Sequence, residues 1–230
     1  MKKIWCISDT HGKHGFLDIP SDVDMLIHAG DLGTFKEPTL NAKGVQETID
    51  WLVSLTHIKH KVFIAGNHDT SIERGYVSPL HKDLLYLKYE VGTIGGLKIF
   101  GSPYTPTFST GWAYNVNRAK LDRYWQEIPE DIDILITHSS PLGILDHTSC
   151  GINFTEVDGA KGVMSCGDGA LLKRVMKIQP SVHVFGHIHN EDKCKNAGIM
   201  QITGCKTKFV NASVLDLDCK INNNGIIIEL

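Results

Sequence analysis

Five short hydrophobic runs in this chain each end in a block of Asp, Asn or His. The runs are Ile4-Trp5-Cys6-Ile7, Met25-Leu26-Ile27-His28, Val62-Phe63-Ile64-Ala65, Ile134-Leu135-Ile136 and Val182-His183-Val184-Phe185. The blocks that follow are Asp9-Thr10-His11, Gly30-Asp31, Gly66-Asn67-His68-Asp69, Thr137-His138 and Gly186-His187-Ile188-His189. Apolar runs of this length, bounded by glycine and polar residues, read as buried strands. In open α/β sheets ligands bind at the carboxyl ends of strands, so five strands ending this way direct their side chains at one crevice.

Taken singly, each block has an ordinary explanation. Asp9 and His11 can cap a following segment, Gly30-Asp31 can be a plain turn, and a histidine after a strand is commonly a packed side chain. In Gly186-His187-Ile188-His189 the two histidines alternate, and on an extended segment alternate residues point the same way. The joint occurrence of all five at strand ends points to a metal centre. The donors are imidazole, carboxylate and amide oxygen without thiolate, which suits Mn, Fe or Zn. A carboxylate has two oxygens and can bridge two ions; Asp9 and Asp31 both qualify, and spacing alone does not choose between them. Two ions roughly 3.5–4 Å apart can hold a bridging hydroxide that attacks phosphorus. His68, beside Asn67, is placed to protonate the leaving oxygen. Asp69 can orient His68 or cap the next turn, and the capping role is the expectation here.

Between the strands the apolar spacing changes. Val45, Ile49, Leu52, Val53 and Leu55 mark a helix from Val45 to Leu55, and Ala170 to Ile178 reads the same way, stopped by Pro180 and capped by Ser165 or Asp168. Gly95-Gly96 within Tyr89 to Phe100 predicts a hairpin. Further strands are expected at Gly198 to Ile202, Lys208 to Ala212 and Ile226 to Glu229. The expected architecture is α/β, two sheets flanked by helices, in one domain over residues 1–230. Ser102 to Asn117 and Ser139 to Gly169 read as loops near the crevice. In the first of these, Tyr104, Phe108, Trp112 and Tyr114 can stack on a base and Arg118 can meet a phosphate. The plainer reading, favoured for Trp112, is that these aromatics close the core.

Composition narrows the classes. The chain has 230 residues and a formal net charge of -3, with no dense Lys/Arg run, which argues against a nucleic-acid groove. No segment is long enough to span a bilayer, and Met1 to Ile7 lacks a signal-peptide cleavage pattern. The expectation is a soluble, cytoplasmic protein with no membrane partner. The six cysteines, Cys6, Cys150, Cys166, Cys194, Cys205 and Cys219, show no C-x-x-C spacing and read as incidental thiols.

The blocks D-x-H, GD, GNH followed by D, a lone H and GHxH resemble those of the calcineurin-like metallophosphoesterase superfamily. Gly101-Ser102-Pro103-Tyr104, Trp112-Ala113, Asp133 to His138, His183 to His189 and Phe209-Val210-Asn211-Ala212-Ser213 look like the metallophosphoesterase domain-containing proteins. Gly30-Asp31-Leu32-Gly33 lacks the second Asp of many phosphoprotein phosphatases and sets that branch aside. The resemblance implies a β-sandwich with helices on both outer sides and two divalent ions, often manganese. It implies that Asp31 is the bridge, that Asp9, His11, Asp31 and His189 hold one ion, and that Asp31, Asn67, His138 and His187 hold the other. It implies His68 as the catalytic histidine of a phosphodiesterase acting on cyclic nucleotides and other small diesters. The rival readings are a phosphomonoesterase or nuclease on the same site, and a non-catalytic interaction module on the same fold.

Overall fold

The computed structural model describes residues 1–149, 155–156, 164–192 and 194–230. Its elements in chain order are β1 (Lys3–Ile7), β2 (Met25–Ala29), α1 (Pro38–Ser54), β3 (His60–Ile64), α2 (Thr70–Glu73), β4 (Leu85–Tyr86), β5 (Glu90–Ile94), β6 (Leu97–Ser102), β7 (Thr105–Pro106), β8 (Asn115–Val116), α3 (Arg118–Glu127), β9 (Ile134–Thr137), β10 (His147–Thr148), β11 (Thr155–Glu156), β12 (Met164–Ser165), α4 (Gly169–Ile178), β13 (Val182–Phe185), β14 (Gly198–Gln201), β15 (Lys208–Asn211) and β16 (Ile226–Glu229).

Each of the five apolar runs is a strand buried on both faces, because it lies in a sheet sandwiched between another sheet and a helix layer. One sheet has the order β16-β1-β2-β3-β4 and the other β14-β15-β13-β9-β6-β5. Their central strands are parallel, while β16, β14 and β5 run antiparallel at or near the edges. The two-residue period of a strand then sorts the side chains. Ile4, Cys6, Met25, Ile27, Val62 and Ile64 meet Ile134, Ile136, Val182, Val184 and Val210 between the sheets. Trp5, Ile7, Leu26 and Phe63 face outward onto Val45, Ile49 and Leu52 of α1. Leu135, Phe185 and Phe209 face the opposite way onto Leu121 and Trp125 of α3 and Leu171 and Val175 of α4. The two-sheet α/β sandwich with helices on both outer sides is therefore the fold.

Helix ends depart from the apolar periodicity for local reasons. α1 begins at Pro38 rather than Val45, since Glu37 caps it by accepting from the Leu40 N–H and Pro38 occupies the first turn. α4 is capped by Asp168, which accepts from the Ala170 and Leu171 N–H groups, and ends on Gln179 in the left-handed region just before Pro180. α3 has no counterpart among the helices expected from periodicity. Only Leu121 and Trp125, one turn apart, are buried in it, so its apolar stripe is too thin to register. The predicted hairpin is β5–β6, turning at Gly95-Gly96. The expected loop from Ser139 to Gly169 contains a small sheet of β10, β12 and β11. Cys150 of that stretch lies outside the described residues. Cys6, Cys205 and Cys219 carry free thiols.

Candidate metal centre

The five blocks meet where β1, β2 and β3 of one sheet and β9 and β13 of the other end. Sharp backbone turns deliver them there. Asp9, His11, Asp31 and His187 have φ of 55°, 42°, 58° and 71°, a left-handed conformation uncommon for residues with a Cβ and concentrated at functional sites. The glycines of the blocks leave room for ligands of other strands. A Cβ on Gly66 would stand 2.3 Å from Asp31 Oδ1 and 2.6 Å from His138 Cε1, and one on Gly186 would stand 2.3 Å from Asp9 Oδ2.

The side chains form three interlocking groups, each with donor atoms within 4.8 Å of one another: Asp9, His11 and His189; His11, Asp31 and His68; and Asp31, His138 and His187. Asp31 Oδ2 lies 3.3 Å from His138 Nε2 and 3.8 Å from His11 Nε2. Asp9 Oδ1 lies 3.4 Å from His189 Nε2. Asn67 Oδ1 is 3.0 Å from His138 Nε2. All eight residues singled out from the sequence thus converge, and Asp31 is the carboxylate common to two groups.

The histidines are aimed from behind. His11, His68, His138 and His189 donate Nδ1–H to the carbonyl oxygens of Gly33, Thr34, Ala29 and Asp216, at 2.8, 2.9, 2.9 and 3.1 Å. In a neutral ring that bond sets the tautomer and puts the lone pair on Nε2, the arrangement of metal-ligating imidazoles. The carboxylates are held likewise. Asp9 accepts from the His187 N–H and from Ser213 Oγ at 2.6 Å, and Asp31 Oδ1 accepts from the His68 N–H at 2.7 Å.

Asp9 and Asp31 are almost wholly buried. Among the described residues neither pairs with a lysine or arginine. Burial opposes their ionisation, yet the surrounding imidazoles hold both carboxyls well below the usual range, His189 acting chiefly on Asp9 and His138 on Asp31. Burial alone would also discharge His138, but the Asp31 carboxylate pushes it up to about 9. His189 is raised against its own burial by its hydrogen bond to Asp9. Burial lowers His11 to about 4 and His187 to about 3, so both imidazoles are neutral at pH 7. Two ionised, buried carboxylates ringed by imidazole nitrogens are a donor set that fits divalent cations.

The structure corrects three expectations. Asp69 stands at the N-terminus of α2, but its side chain does not cap it. Its carboxylate accepts instead from the Leu32, Gly33 and Gly66 N–H groups at 2.9, 2.9 and 2.7 Å, tying the turn after β2 to the turn after β3. It does not orient His68 either, a task that falls to the Thr34 carbonyl. His187 and His189 do not point the same way, because β13 has already ended and His187 is left-handed, so the two rings join different groups. Trp112 does not close the core: it is half-buried and packs on His68, with ring centroids 4.3 Å apart. Tyr114, for which stacking and core packing were both open, is buried in the core, with Tyr104 against it.

Two supporting residues carry no metal-site signal of their own, although both lie in the Phe209 to Ser213 block. Ser213 holds Asp9. Asn211 donates to the Leu145 and Ile188 carbonyls and so braces the His187–His189 turn. Beside this turn lies a cavity of about 400 Å³ lined by Phe108, Arg118, Ser139, His187, His189 and Glu191 among others. Arg118 Nη1 is 3.4 Å from the buried Asp168 carboxylate, and the exposed Phe108 ring lies 5.5 Å from that of His187.

The calcineurin-like phosphoesterase family model matches residues 2–191. Metallophosphoesterase domain-containing protein 1 of Homo sapiens is 34% identical over 98% of this chain and 70% of its own length, and that of Mus musculus matches equally. A UPF0046 protein of Caenorhabditis elegans is 32% identical over 98% of this chain and 74% of its own. The DNA double-strand break repair protein Mre11 of Saccharolobus solfataricus is 32% identical over 47% of this chain and 35% of its own. The chain belongs to the calcineurin-like phosphoesterase family, and its converging side chains form groups that could hold metal ions. No helix among the described residues is long and apolar enough to cross a membrane.

Proposed function

We propose that the protein is a phosphodiesterase that uses two divalent ions, manganese by preference and iron or zinc as alternatives, to hydrolyse small phosphodiesters such as cyclic or other nucleotides. The observation that carries this reading is the Asp31 carboxylate, common to the His11–His68 and the His138–His187 groups. Asp9, His11, Asp31 and His189 would hold one ion, and Asp31, Asn67, His138 and His187 the other. The ions supply Lewis acidity toward the phosphoryl oxygens and lower the pKa of water. In the donating form His68 carries a proton on both ring nitrogens: it keeps Nδ1–H on the Thr34 carbonyl and passes the Nε2 proton to the leaving oxygen as the bond from that oxygen to phosphorus breaks, ending as the neutral Nδ1–H ring. Arg118 supplies positive charge to a phosphoryl oxygen in the cavity, and Phe108 supplies an apolar wall for the organic group.

The small-substrate preference rests on the cavity. About 400 Å³ suits a mononucleotide-sized ligand. Among the described residues its lining holds one arginine and no lysine, unlike the basic stripe that a polymer backbone requires. The test is to strip the protein with a chelator, restore manganese, and compare bis-p-nitrophenyl phosphate with p-nitrophenyl phosphate. Metal-dependent turnover favouring the diester is expected, with Asp31→Asn losing most of both metal and activity. Preference for the monoester would make the protein a phosphatase, and full activity in Asp31→Asn would refute the shared-carboxylate reading.

A further inference from the structure

His68 is bracketed on three sides. Its Nδ1–H is bound to the Thr34 carbonyl at 2.9 Å. The edge of His11 stands on one side, with ring centroids 4.4 Å apart and planes at 74°. Trp112 stands on another, at 4.3 Å and 45°. The indole is itself fixed. The Ala113 N–H donates to the Asn67 carbonyl at 3.0 Å, which pins the Trp112 turn to the residue preceding His68. The Tyr114 N–H donates to Glu73 Oε1 at 2.7 Å. Lys36 Nζ lies 5.1 Å from the centre of the indole ring. An aromatic side chain that is only half-buried, outside the core, and tied to the turn of the ligand strand has little structural work to explain it.

We propose that Trp112 is a positioning residue for His68. A single hydrogen bond at Nδ1 sets the tautomer but leaves the imidazole free to rock about that point. Contact with the indole closes the open side and keeps Nε2 facing the leaving oxygen. The inference rests on the reading of His68 as proton donor. Its consequence is specific: losing Trp112 slows reactions in proportion to their need for a proton. A p-nitrophenolate leaving group needs little protonation, whereas a phenolate needs more.

The experiment compares methyl p-nitrophenyl phosphate with methyl phenyl phosphate, using the manganese-loaded enzyme, Trp112→Ala, Trp112→Phe, Trp112→Leu and His68→Ala, with metal content measured alongside. Trp112→Ala is expected to slow the phenyl diester about tenfold or more and the p-nitrophenyl diester less than about threefold, since a misplacement near 1 Å costs up to about a hundredfold. Phe at the position should restore most of the difference and Leu should not. His68→Ala combined with Trp112→Ala should be no slower on the phenyl diester than His68→Ala alone. Equal slowing of both substrates by Trp112→Ala, while His68→Ala still discriminates between them, overturns the role of Trp112. If His68→Ala itself does not discriminate, the proton-donor reading fails first. If Trp112→Ala loses manganese, the comparison of Phe with Leu decides instead, and equal behaviour of those two overturns the proposal.

Discussion

Replacing Gly66 with alanine adds one methyl group at a tight crossing in the site, between Asp31 and His138. Its Cβ would lie 2.3 Å from Asp31 Oδ1, 2.6 Å from Asp31 N and 2.6 Å from His138 Cε1. Ordinary contact begins near 3.4 Å, so the carboxylate would have to retreat by about 1 Å. It has nowhere to go cheaply. Asp31 Oδ1 is bound to the His68 N–H, the Asp31 backbone is itself one of the clashing groups, and His138 is wholly buried with Nδ1 on the Ala29 carbonyl. Overpacking of this kind costs about 1–3 kcal/mol of stability. Displacing a shared ligand by about 1 Å should cost on the order of a hundredfold in kcat/KM. The assay is metal-dependent hydrolysis of bis-p-nitrophenyl phosphate with metal content and thermal unfolding on the same preparations. Gly44→Ala is the control: the same change in the middle of α1, where nothing lies within 4 Å, should stabilise by about 1 kcal/mol and leave turnover alone. Wild-type activity and metal content in Gly66→Ala would refute the argument that close approach of Asp31 and His138 is why glycine stands there.

The Asp69 carboxylate accepts three backbone N–H groups; in Asp69→Asn an amide N–H₂ must face one of them, which should cost about 1–3 kcal/mol and lower Tm by several degrees. An unchanged Tm would show that the two turns are held together by other means. Metal binding should release protons at pH 7. His138, raised to about 9, is protonated when no ion is bound and must be neutral to ligate, while His11, at about 4, and His187, at about 3, have nothing to give up. Affinity should therefore rise with pH through the neutral range and level off above about pH 9. Calorimetric titration with manganese in two buffers of different ionisation enthalpy checks this, and identical apparent heats would refute it. The same raised value stabilises the ion-free fold below the ordinary histidine range, and that contribution is lost as pH rises through about 9.

The five strands and the convergence of the residues at their ends were legible in the sequence because each signal is local. A buried strand needs an unbroken apolar run, and a ligand at its end needs only the right residue type. α4 and its Asp168 cap were legible for the same reason, as was the hairpin at Gly95-Gly96. The first turns of α1 and all of α3 were not: the start of α1 buries the polar Asn41, and α3 buries only Leu121 and Trp125, so neither carries an apolar periodic pattern. By itself the sequence left Asp9 and Asp31 equivalent as bridging carboxylates. In the tertiary structure Asp31 belongs to two of the candidate ligand groups and Asp9 to one. The tertiary structure also reassigned Asp69 from a cap to a tie between two turns, moved Trp112 from the core to the site, buried Tyr114 in the core, and brought in Ser213 from more than two hundred residues beyond Asp9. Residue type and spacing determine which atoms can bind a cation. Which of them meet, and which neighbours hold them, depends on how two sheets from distant parts of the chain register against each other, and no local pattern encodes that contact.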